Sequence, residues 1–485
     1  MKIRYISTLL LIFLSIVGSS CKKLVQVSAP TTAVTGNSVY NSDATAIAVL
    51  TGLYSKISAS STTSIGTLPS LSLFTSLSSD ELTLWGGSTN RTAIAYYQNA
   101  LGSGVSGIGS EYWAGFYSYV FVCNDAIQNL NNSTGLTPSI KKQLLGEALF
   151  MRAFCYFYLV NLFGDVALST TSDYKTNALL GRSSVDKVYQ QIIEDLKQGE
   201  SLLSITYTDA TLQTPSSERL RPTKWSAAAL LARTYLYYRD WANAEAQASI
   251  VLTNTSLFGL SPLETTFLKA SLGNNEAIWQ LQPVNNGWNT EDAKAFIMTS
   301  AGPGQAFDFG AYLSDTLLNS FEENDQRRFN RNWIDSISVG GTTYFFPYKY
   351  KINTSDGPVN EYLTILRLGE QYLIRAEARA QQGNLSGAAS DLNMVRARAG
   401  LGSTSATSQS DLLSAILHER QVEMFTELGQ RWLDLKRTGT VDNIMDKVTP
   451  QKSGGGQWKS YQQLYPVSFS DIQADQNLSQ NPGYN

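Results

Sequence analysis

Residues 221–248 read RPTKWSAAALLARTYLYYRDWANAEAQA, and their pattern is the clearest indication of the fold class. Apolar side chains recur in it at the three-and-four spacing of a helix, with a break at Arg239 and Asp240. The two stripes are Trp225, Ala228, Ala232 and Tyr235, then Trp241, Ala244, Ala248 and Val251. Pro222 is expected at the first helical position or just before it. Because so short a link makes two helices antiparallel neighbours, the stretch predicts a packed helix pair.

The same arrangement recurs in residues 373–400, LIRAEARAQQGNLSGAASDLNMVRARAG. A turn is expected at Gly383–Asn384, between two helices whose facing positions are mostly small. Small residues at a crossing let helices approach closely, as in tetratricopeptide pairs. The two copies are far apart and not in regular tandem. The sequence therefore predicts a mainly α protein, an irregular helical scaffold with tetratricopeptide-like pairs.

Other segments fill in this scaffold. A long helix with one apolar face is predicted to end at Gly164; its stripe is Leu144, Ala148, Met151, Cys155, Leu159 and Leu162. Residues 276–284 (EAIWQLQPV) and 344–352 (YFFPYKYKI) alternate loosely and each predict a short strand. Residues 60–110 and 284–310 are rich in Gly, Ser, Thr and Asn. We expect them to be loop insertions, where binding groups tend to gather.

Composition narrows the function classes. The hydrophobic fraction of 43% suits a globular chain, while charged residues make up only 16%. Ser, Thr, Asn and Gln take the place of the missing charges, which fits an exported protein that meets neutral ligands. The net charge of −3 gives no basic face for nucleic acid.

The first residues resemble an export signal. Lys2 and Arg4 precede a short apolar run, Leu9 to Val17, and small residues follow it up to Cys21. The run is too short to span a bilayer, which needs about 20 apolar residues. A cysteine directly after the cleavage site is typical of bacterial lipoproteins, whose thiol is acylated. We therefore expect a signal peptide over 1–20, lipidation at Cys21 and a membrane tether over 21–40.

Cysteine and metal chemistry are not expected. Cys123 and Cys155 lie in aromatic, helix-like stretches, where two buried free thiols are favoured over a bridge. His418 is the chain's only histidine, so neither a catalytic triad nor a metal site is indicated. We expect no cofactor and no metal.

Three carboxylates share one predicted helix face. Glu419, Glu423 and Glu427 are spaced by four residues, and a glycosidase needs two acids about 5–10 Å apart. Arginines surround them, and Glu427 with Arg431 forms a favourable i, i+4 pair. We therefore interpret the three as ion-pair partners rather than as a catalytic pair.

Five stretches, in order, resemble one known family, the SusD/RagB nutrient-binding outer-membrane lipoproteins of Bacteroidetes. They are GEALFMRAFCYFYLVNLFGDVAL (146–168), residues 221–248, LRLGEQYLIRAEARAQQGN (366–384), HERQVEMFTELGQRWLDLKRTG (418–439) and LYPVSFSDIQADQNLSQNPGY (464–484). The QNPGY ending is the most specific of them. We expect its Pro482 and Gly483 to form a turn that packs Tyr484 on the body.

The resemblance implies a function. Such proteins are surface-anchored, sit as a lid on a SusC-like TonB-dependent outer-membrane transporter, and bind an oligosaccharide without being enzymes. Peptide binding, as in the RagB branch, is the alternative, and an exported glycoside-active enzyme is a more remote one. The resemblance also implies a binding domain over 41–485, with an N-terminal part to about 255 and a C-terminal part from about 256. Asp80 matches an acidic position near the family's ligand site.

The aromatic residues complete the expected site. Trp85 and Trp288 stand in LTLWGGSTNR and VNNGWNTED, where no helical stripe would bury them. An exposed ring offers a platform to the C–H face of a sugar, and nearby polar groups bond its hydroxyls. The expected ligand contacts are Asp80, Trp85, Asn90, Arg91, Trp288 and Asn289.

Overall fold

The computed structural model describes residues 39–104, 107–304 and 310–484. The predicted signal peptide, Cys21 and all but the last two residues of the tether lie outside these ranges. The helices are α1 (Asp43–Ser58), α2 (Leu71–Ser78), α3 (Arg91–Tyr97), α4 (Glu111–Asn132), α5 (Pro138–Phe163), α6 (Tyr174–Asn177), α7 (Val185–Leu202), α8 (Lys224–Tyr237), α9 (Trp241–Leu252), α10 (Glu291–Phe296), α11 (Asp315–Leu318), α12 (Leu368–Gln381), α13 (Leu385–Arg398), α14 (Gln409–Glu423), α15 (Gln430–Arg437), α16 (Val441–Val448) and α17 (Phe469–Ala474). The strands are β1 (Leu82–Leu84), β2 (Val166–Ala167), β3 (Arg182–Ser183), β4 (Ala277–Leu281), β5 (Ala311–Leu313), β6 (Ile334–Val339), β7 (Thr342–Pro347) and β8 (Leu363–Arg367).

Helices that follow one another pack side by side through most of the chain. Helix α4 packs on α5, α5 on α7, α7 on α8 and α8 on α9; α9 then contacts α12, which packs on α13 and α14. The apolar faces meet in one hydrophobic cluster with members from Tyr40 to Val467. A smaller cluster joins α12, α13 and α14. This is the mainly α scaffold that the periodicity predicts.

Both predicted helix pairs are present. Helix α8 begins one residue after Thr223, which caps it, so Pro222 precedes the cap rather than occupying the first helical position. Arg239 turns the chain with a left-handed φ of 62°, and the Asp240 carboxylate caps α9 by accepting from the Asn243 amide. The long helix α5 ends before Gly164, as predicted.

The strands form four separate antiparallel pairs within the described ranges: β1 with β5, β2 with β3, β4 with β8, and β6 with β7. Strands β4 and β7 are the two predicted from alternation. All residues of β4 and β8 are buried, so this pair lies inside the protein against α8 and α12. The outer residues of β1 and β5 are buried as well, whereas β6 and β7 carry exposed residues.

The C-terminal stretch packs on the body. Gly483 has a φ of +90°, and the Tyr484 hydroxyl donates to the Leu464 carbonyl at 2.9 Å. The amide of Asn481 donates to the carbonyls of Phe163 and Tyr465, at 2.9 and 2.7 Å. The turn and packing predicted for this ending are confirmed.

The prediction on the cysteines agrees with the structure. Cys123 and Cys155 are buried free thiols, as favoured from the sequence, and burial raises the pKa of Cys123 to about 12. Among the helices of the described ranges, none has the length and apolarity needed to cross a bilayer.

A buried ionic cluster joins segments that are distant in sequence. Its acids and bases are Glu276, Asp325, Glu419, Glu423 and Glu427, with Arg327, Lys349, Arg367, Arg396 and Arg398. Burial opposes ionisation of Glu423, but Arg398, Arg367 and Arg327 outweigh it and hold the pKa of this carboxyl well below its usual range.

The ion-pair interpretation of the three glutamates is confirmed, with one correction. Glu427 pairs with Arg367 and Lys349, not with Arg431 as its i, i+4 spacing suggested. Helix α14 ends at Glu423, and Thr426 and Leu428 have positive φ, so no helix carries Glu427 to Arg431.

We predict that Glu423→Gln lowers the free energy of unfolding by about 3–5 kcal/mol, because it leaves buried guanidinium groups short of a counter-charge. Urea unfolding of the two proteins measures the difference. Asp335→Asn is the matched control, since its partner Arg331 is 66% exposed, and its unfolding midpoint should scarcely move. Equal effects of the two substitutions would contradict the role assigned to the cluster.

Asp292 of α10 is a buried acid without a cationic partner among the described residues. Its Oδ1 accepts from the Thr62 hydroxyl at 2.8 Å, which ties α10 to the loop after α1. Burial raises the pKa of Asp292 to about 7, and the charges of Glu291 and Glu427 add to this effect. The folded protein thus binds this proton more tightly than the unfolded chain does.

We predict that Asp292→Asn removes a pH dependence of stability. Because the pKa of Asp292 is higher in the folded protein than in the unfolded chain, protonation of this carboxyl stabilises the fold. This contribution to the free energy of unfolding is complete below about pH 4 and is lost as the pH rises to about 7. The asparagine variant should match the wild type at pH 4 and exceed it at pH 8 by up to about 4 kcal/mol. Unfolding by urea at a series of pH values tests this, and parallel curves for both proteins would contradict it.

Candidate ligand-binding surface

Trp85 follows β1 and is held by close backbone contacts. Its amide donates to the Gly310 carbonyl at 2.7 Å, which extends the pairing of β1 with β5. A Cβ on Gly87 would lie 2.4 Å from the indole, and a Cβ on Gly304 2.7 Å from it. A side chain at either position would displace the indole, so the ring packs directly on the glycine backbone. The indole is half-buried, with part of its surface open to solvent.

Asn90 and Arg91 lie at the end of the same loop. The Asn90 side chain accepts from the Ala93 amide at 2.9 Å and caps α3, while Arg91 is the first residue of that helix. Both are exposed. Across 39–104, 107–304 and 310–484, no carboxylate forms an ion pair with Arg91. The guanidinium and the remaining amide group of Asn90 can therefore bond hydroxyl groups of a ligand.

Trp288 lies in the loop between β4 and α10. Its amide donates to the Asn285 carbonyl at 3.1 Å, and its ring is half-buried. The ammonium of Lys294 lies 4.6 Å from the ring centroid, a cation–π contact, and also forms an ion pair with Glu291 at 3.0 Å. The first turn of α10 thus fixes the orientation of this ring.

Asn289 and Asp80 lie inside the protein. Asn289 is 1% exposed: its Oδ1 accepts from the amides of Asn360 and Glu361, and its Nδ2 donates to the Pro358 carbonyl. Asp80 is 2% exposed and binds both nitrogens of Arg431, at 2.8 and 2.6 Å. These bonds fix the backbone at the start of the Trp85 loop and within the Trp288 loop.

One segment connects the two tryptophans. The chain leaves Trp288, forms α10, and arrives at Gly304 and Gly310, which lie against the Trp85 side chain. Sequence reasoning placed both rings in loops but missed Lys294 and Gly304 as their supports. The glycines of the 302–304 stretch, GPG, are the signal that could have indicated a close backbone approach.

Comparison with known proteins agrees with this architecture. A family model described as the SusD family matches residues 268–484, and one described as starch-binding associating with outer membrane matches residues 87–236. Together the two ranges cover most of the chain.

Curated relatives match over similar lengths. A SusD-like protein of Formosa agariphila is 23% identical over 437 residues, which cover 78% of this chain and 79% of the relative. The starch-binding protein SusD of Bacteroides thetaiotaomicron is 23% identical over 435 residues, covering 73% of this chain and 75% of that protein.

Solved structures share the fold. A SusD superfamily protein of Bacteroides vulgatus superposes with a TM-score of 0.76 at 20% identity, over 91% of this chain and 99% of the other. Surface glycan-binding protein A of Bacteroides uniformis superposes with a TM-score of 0.75 at 20% identity, over 90% of this chain and 99% of the other. Family models that match in succession along the chain, relatives matched over most of their length and a shared fold lead to one assignment: the chain belongs to the SusD family.

Proposed function

We propose that this protein binds a neutral oligosaccharide at the outer membrane and delivers it to a SusC-like TonB-dependent transporter. Family membership supports the proposal. The matching family model is described as starch-binding, and relatives and structural neighbours are named as starch-binding and glycan-binding proteins. The low charge of the chain suits a neutral ligand.

The observation that carries the ligand class is the pair of half-buried indoles, Trp85 and Trp288. Each ring is fixed from one side, by glycine backbone or by Lys294, and keeps part of its surface open. Rigid rings stack on the apolar face of a sugar with little loss of conformational entropy. Exposed Asn90 and Arg91 beside Trp85 supply polar contacts. We leave Asp80 and Asn289 out of the proposed contacts because their polar atoms bond within the protein.

We infer that both rings serve one surface. The segment that begins at Trp288 reaches Gly304, which lies against the Trp85 ring, and this connection supports a common surface. A shallow site of this kind should bind in the range of about micromolar to millimolar.

Binding, rather than hydrolysis, is the proposed activity. Glu419 and Glu423 are buried, and the Glu427 side chain is 10% exposed; each accepts from arginine, so the acids whose spacing resembles a glycosidase pair are held in ion pairs. A general acid must reach the scissile oxygen of its substrate. In the described structure Glu419 and Glu423 lie in the protein interior, and both carboxylate oxygens of Glu427 accept from Arg367.

Attachment to the membrane is proposed through Cys21. The signal directly before this cysteine supports lipidation, and more than one acyl chain gives lasting membrane binding. The tether of residues 21–40 would then hold the binding domain near the membrane surface, facing outward, where it can close over the transporter.

We predict that Trp85→Ala and Trp288→Ala each weaken oligosaccharide binding about tenfold, since one stacking ring contributes about 1–3 kcal/mol in comparable stacks. Calorimetric titration with the best ligand from a glycan array measures this. The unfolding temperature should stay nearly constant, and binding to a neutral ligand should depend little on salt.

Tyr174→Ala is the matched control for this prediction. Its ring is 73% exposed and lies on α6, whose hydrogen bonds in the described structure run to residues 169–180 and not to either loop, so its loss should leave affinity unchanged. Unchanged affinity in both tryptophan variants would refute the proposed surface. If the array identifies peptides and no glycans as ligands, the protein binds peptides instead of oligosaccharides.

We predict that Cys21→Ser yields a folded protein that no longer partitions into membranes, because the acylated thiol is absent. Fractionation after a high-salt wash measures this in a host without the transporter, where peripheral attachment to that partner cannot occur. Lys22→Ser is the control and should remain in the membrane fraction. Retention of the Cys21→Ser protein in that fraction would refute lipid anchoring.

A further inference from the structure

An apolar cavity of about 330 Å³ lies between α4, the segment 177–180 and the last helix, α17. Trp113, Tyr117 and Phe121, spaced by four residues along α4, form one of its walls. Phe121 is 53% exposed, and Leu179, which lies between two lining residues, is 72% exposed. Exposed apolar side chains around an apolar cavity mark a surface that another segment covers.

The charged groups at this cavity are acidic. Among the described residues that line it, only Asp471 of α17 and Asp475, directly after that helix, carry a charge, and both are partly exposed. Within 39–104, 107–304 and 310–484, neither carboxylate forms an ion pair with a base. The guanidinium of Arg182 donates to three backbone carbonyls and to the Asn481 side chain instead. The cavity therefore suits an apolar segment that carries a positive charge beside its apolar side chains.

The part of the chain that precedes the described residues starts next to this cavity. Tyr40 lies on α4: its carbonyl accepts from the Ser133 hydroxyl at 2.6 Å, and its hydroxyl donates to Asp125 at 3.4 Å. Phe121 lies one helical turn from Asp125 and about 18 Å along the helix axis from Ser133. Residues 27–39 can span up to about 40 Å when extended. The tether is therefore long enough to reach the cavity along α4.

The sequence of the tether has the chemistry that the cavity suits. Residues 22–27 read KKLVQV, so two bases are followed directly by three apolar side chains, and no other charge occurs up to residue 38. In an extended segment Lys23, Val25 and Val27 would share one side. Coming from Tyr40, such a segment would bring Val27 to the cavity first and Lys23 last.

We propose that residues 22–27 of the tether dock in this cavity. The two valines pack against the aromatic wall of α4, and the ammonium of Lys23 lies between Asp471 and Asp475. Docking leaves almost no free chain between Cys21 and the body of the protein, so it fixes which side of the body faces the membrane. The docking rests on the cavity and on the tether sequence, whereas its consequence at the membrane rests on the proposed lipidation of Cys21.

The test measures rates of cross-linking by a short bismaleimide in the full mature protein in detergent. Ser28→Cys, next to the docking segment, is combined with Ala178→Cys at the cavity or, as the matched control, with Asn132→Cys. Asn132 is exposed and lies at the end of α4 where the tether begins, so a freely moving tether would reach it at least as fast. The pair with Ala178→Cys should react at least about fivefold faster, because docking raises the effective concentration of position 28 at the cavity. Cys123 and Cys155 are buried and do not compete.

Further substitutions test the contacts through the ratio of the two rates. Phe121→Ser and Lys23→Glu should each lower this ratio to about one or below, and Asp471→Lys in the Lys23→Glu chain should restore it by exchanging the charges. Met394→Ser, at an exposed apolar position of α13, is the matched control and should leave the ratio unchanged. Because Phe121 is 53% exposed, its variant should keep the wild-type unfolding temperature.

The proposal is overturned if the ratio is one or below before these substitutions, if it is unchanged in both Phe121→Ser and Lys23→Glu, or if the exchange of charges does not restore it. Failure of the proposed function would be a separate result. Oligosaccharide affinity should be the same in Phe121→Ser as in the wild type, and a Cys21 without lipid would be detected by membrane fractionation while the two cross-linking rates stay the same.

Discussion

The buried ionic cluster around Glu423 holds together segments that are distant in the sequence. Removing charges from water is costly, and the cost is offset only when every acid meets its bases in good geometry. Here Glu423 contacts Arg327, Arg367 and Arg398, which come from the loop before β6, from β8 and from α13. The cluster therefore fixes the position of the strand pair β4–β8 relative to the helix pair α12–α13. Its outer member, Glu427, lies beside Asp292, so the same constraint extends to the helix that follows Trp288.

Polar side chains next to the two tryptophan loops connect them to the rest of the protein. Asp80, two residues before β1, binds Arg431 of α15, and Asn289 connects the loop after β4 to residues 358–361. Asn289 was a candidate for ligand contact as an amide beside Trp288, and Asp80 because it matches an acidic position near the family's ligand site. Both are buried, and their bonds within the protein fix the backbone next to the two tryptophan loops. A flat ring on a fixed loop loses little entropy when a sugar stacks on it.

The helices could be predicted from the sequence and the polar contacts could not, for a physical reason. The buried face of a helix shows a local repeat of apolar residues, as at Ala228 and Ala232, so it can be recognised in the sequence. The burial of Asp80 depends on Arg431, which is 351 residues away, and no local pattern contains that contact. The i, i+4 pair of Glu427 with Arg431 failed because the helix ends at Glu423 before the spacing can act. The half-exposed setting of Trp85 and Trp288 was foreseen from Gly and Asn neighbours, but their supports, Gly304 and Lys294, were not.

The shape of the proposed tryptophan surface suits the capture of a polymer. An open surface would accept an internal stretch of a chain and release it readily. When one ligand engages both tryptophans, the second contact would form at the effective concentration set by the first, and retention would increase without a stronger single contact. Weak contacts of this kind would suit the proposed role, in which the protein holds its ligand near the membrane and still releases it to a transporter.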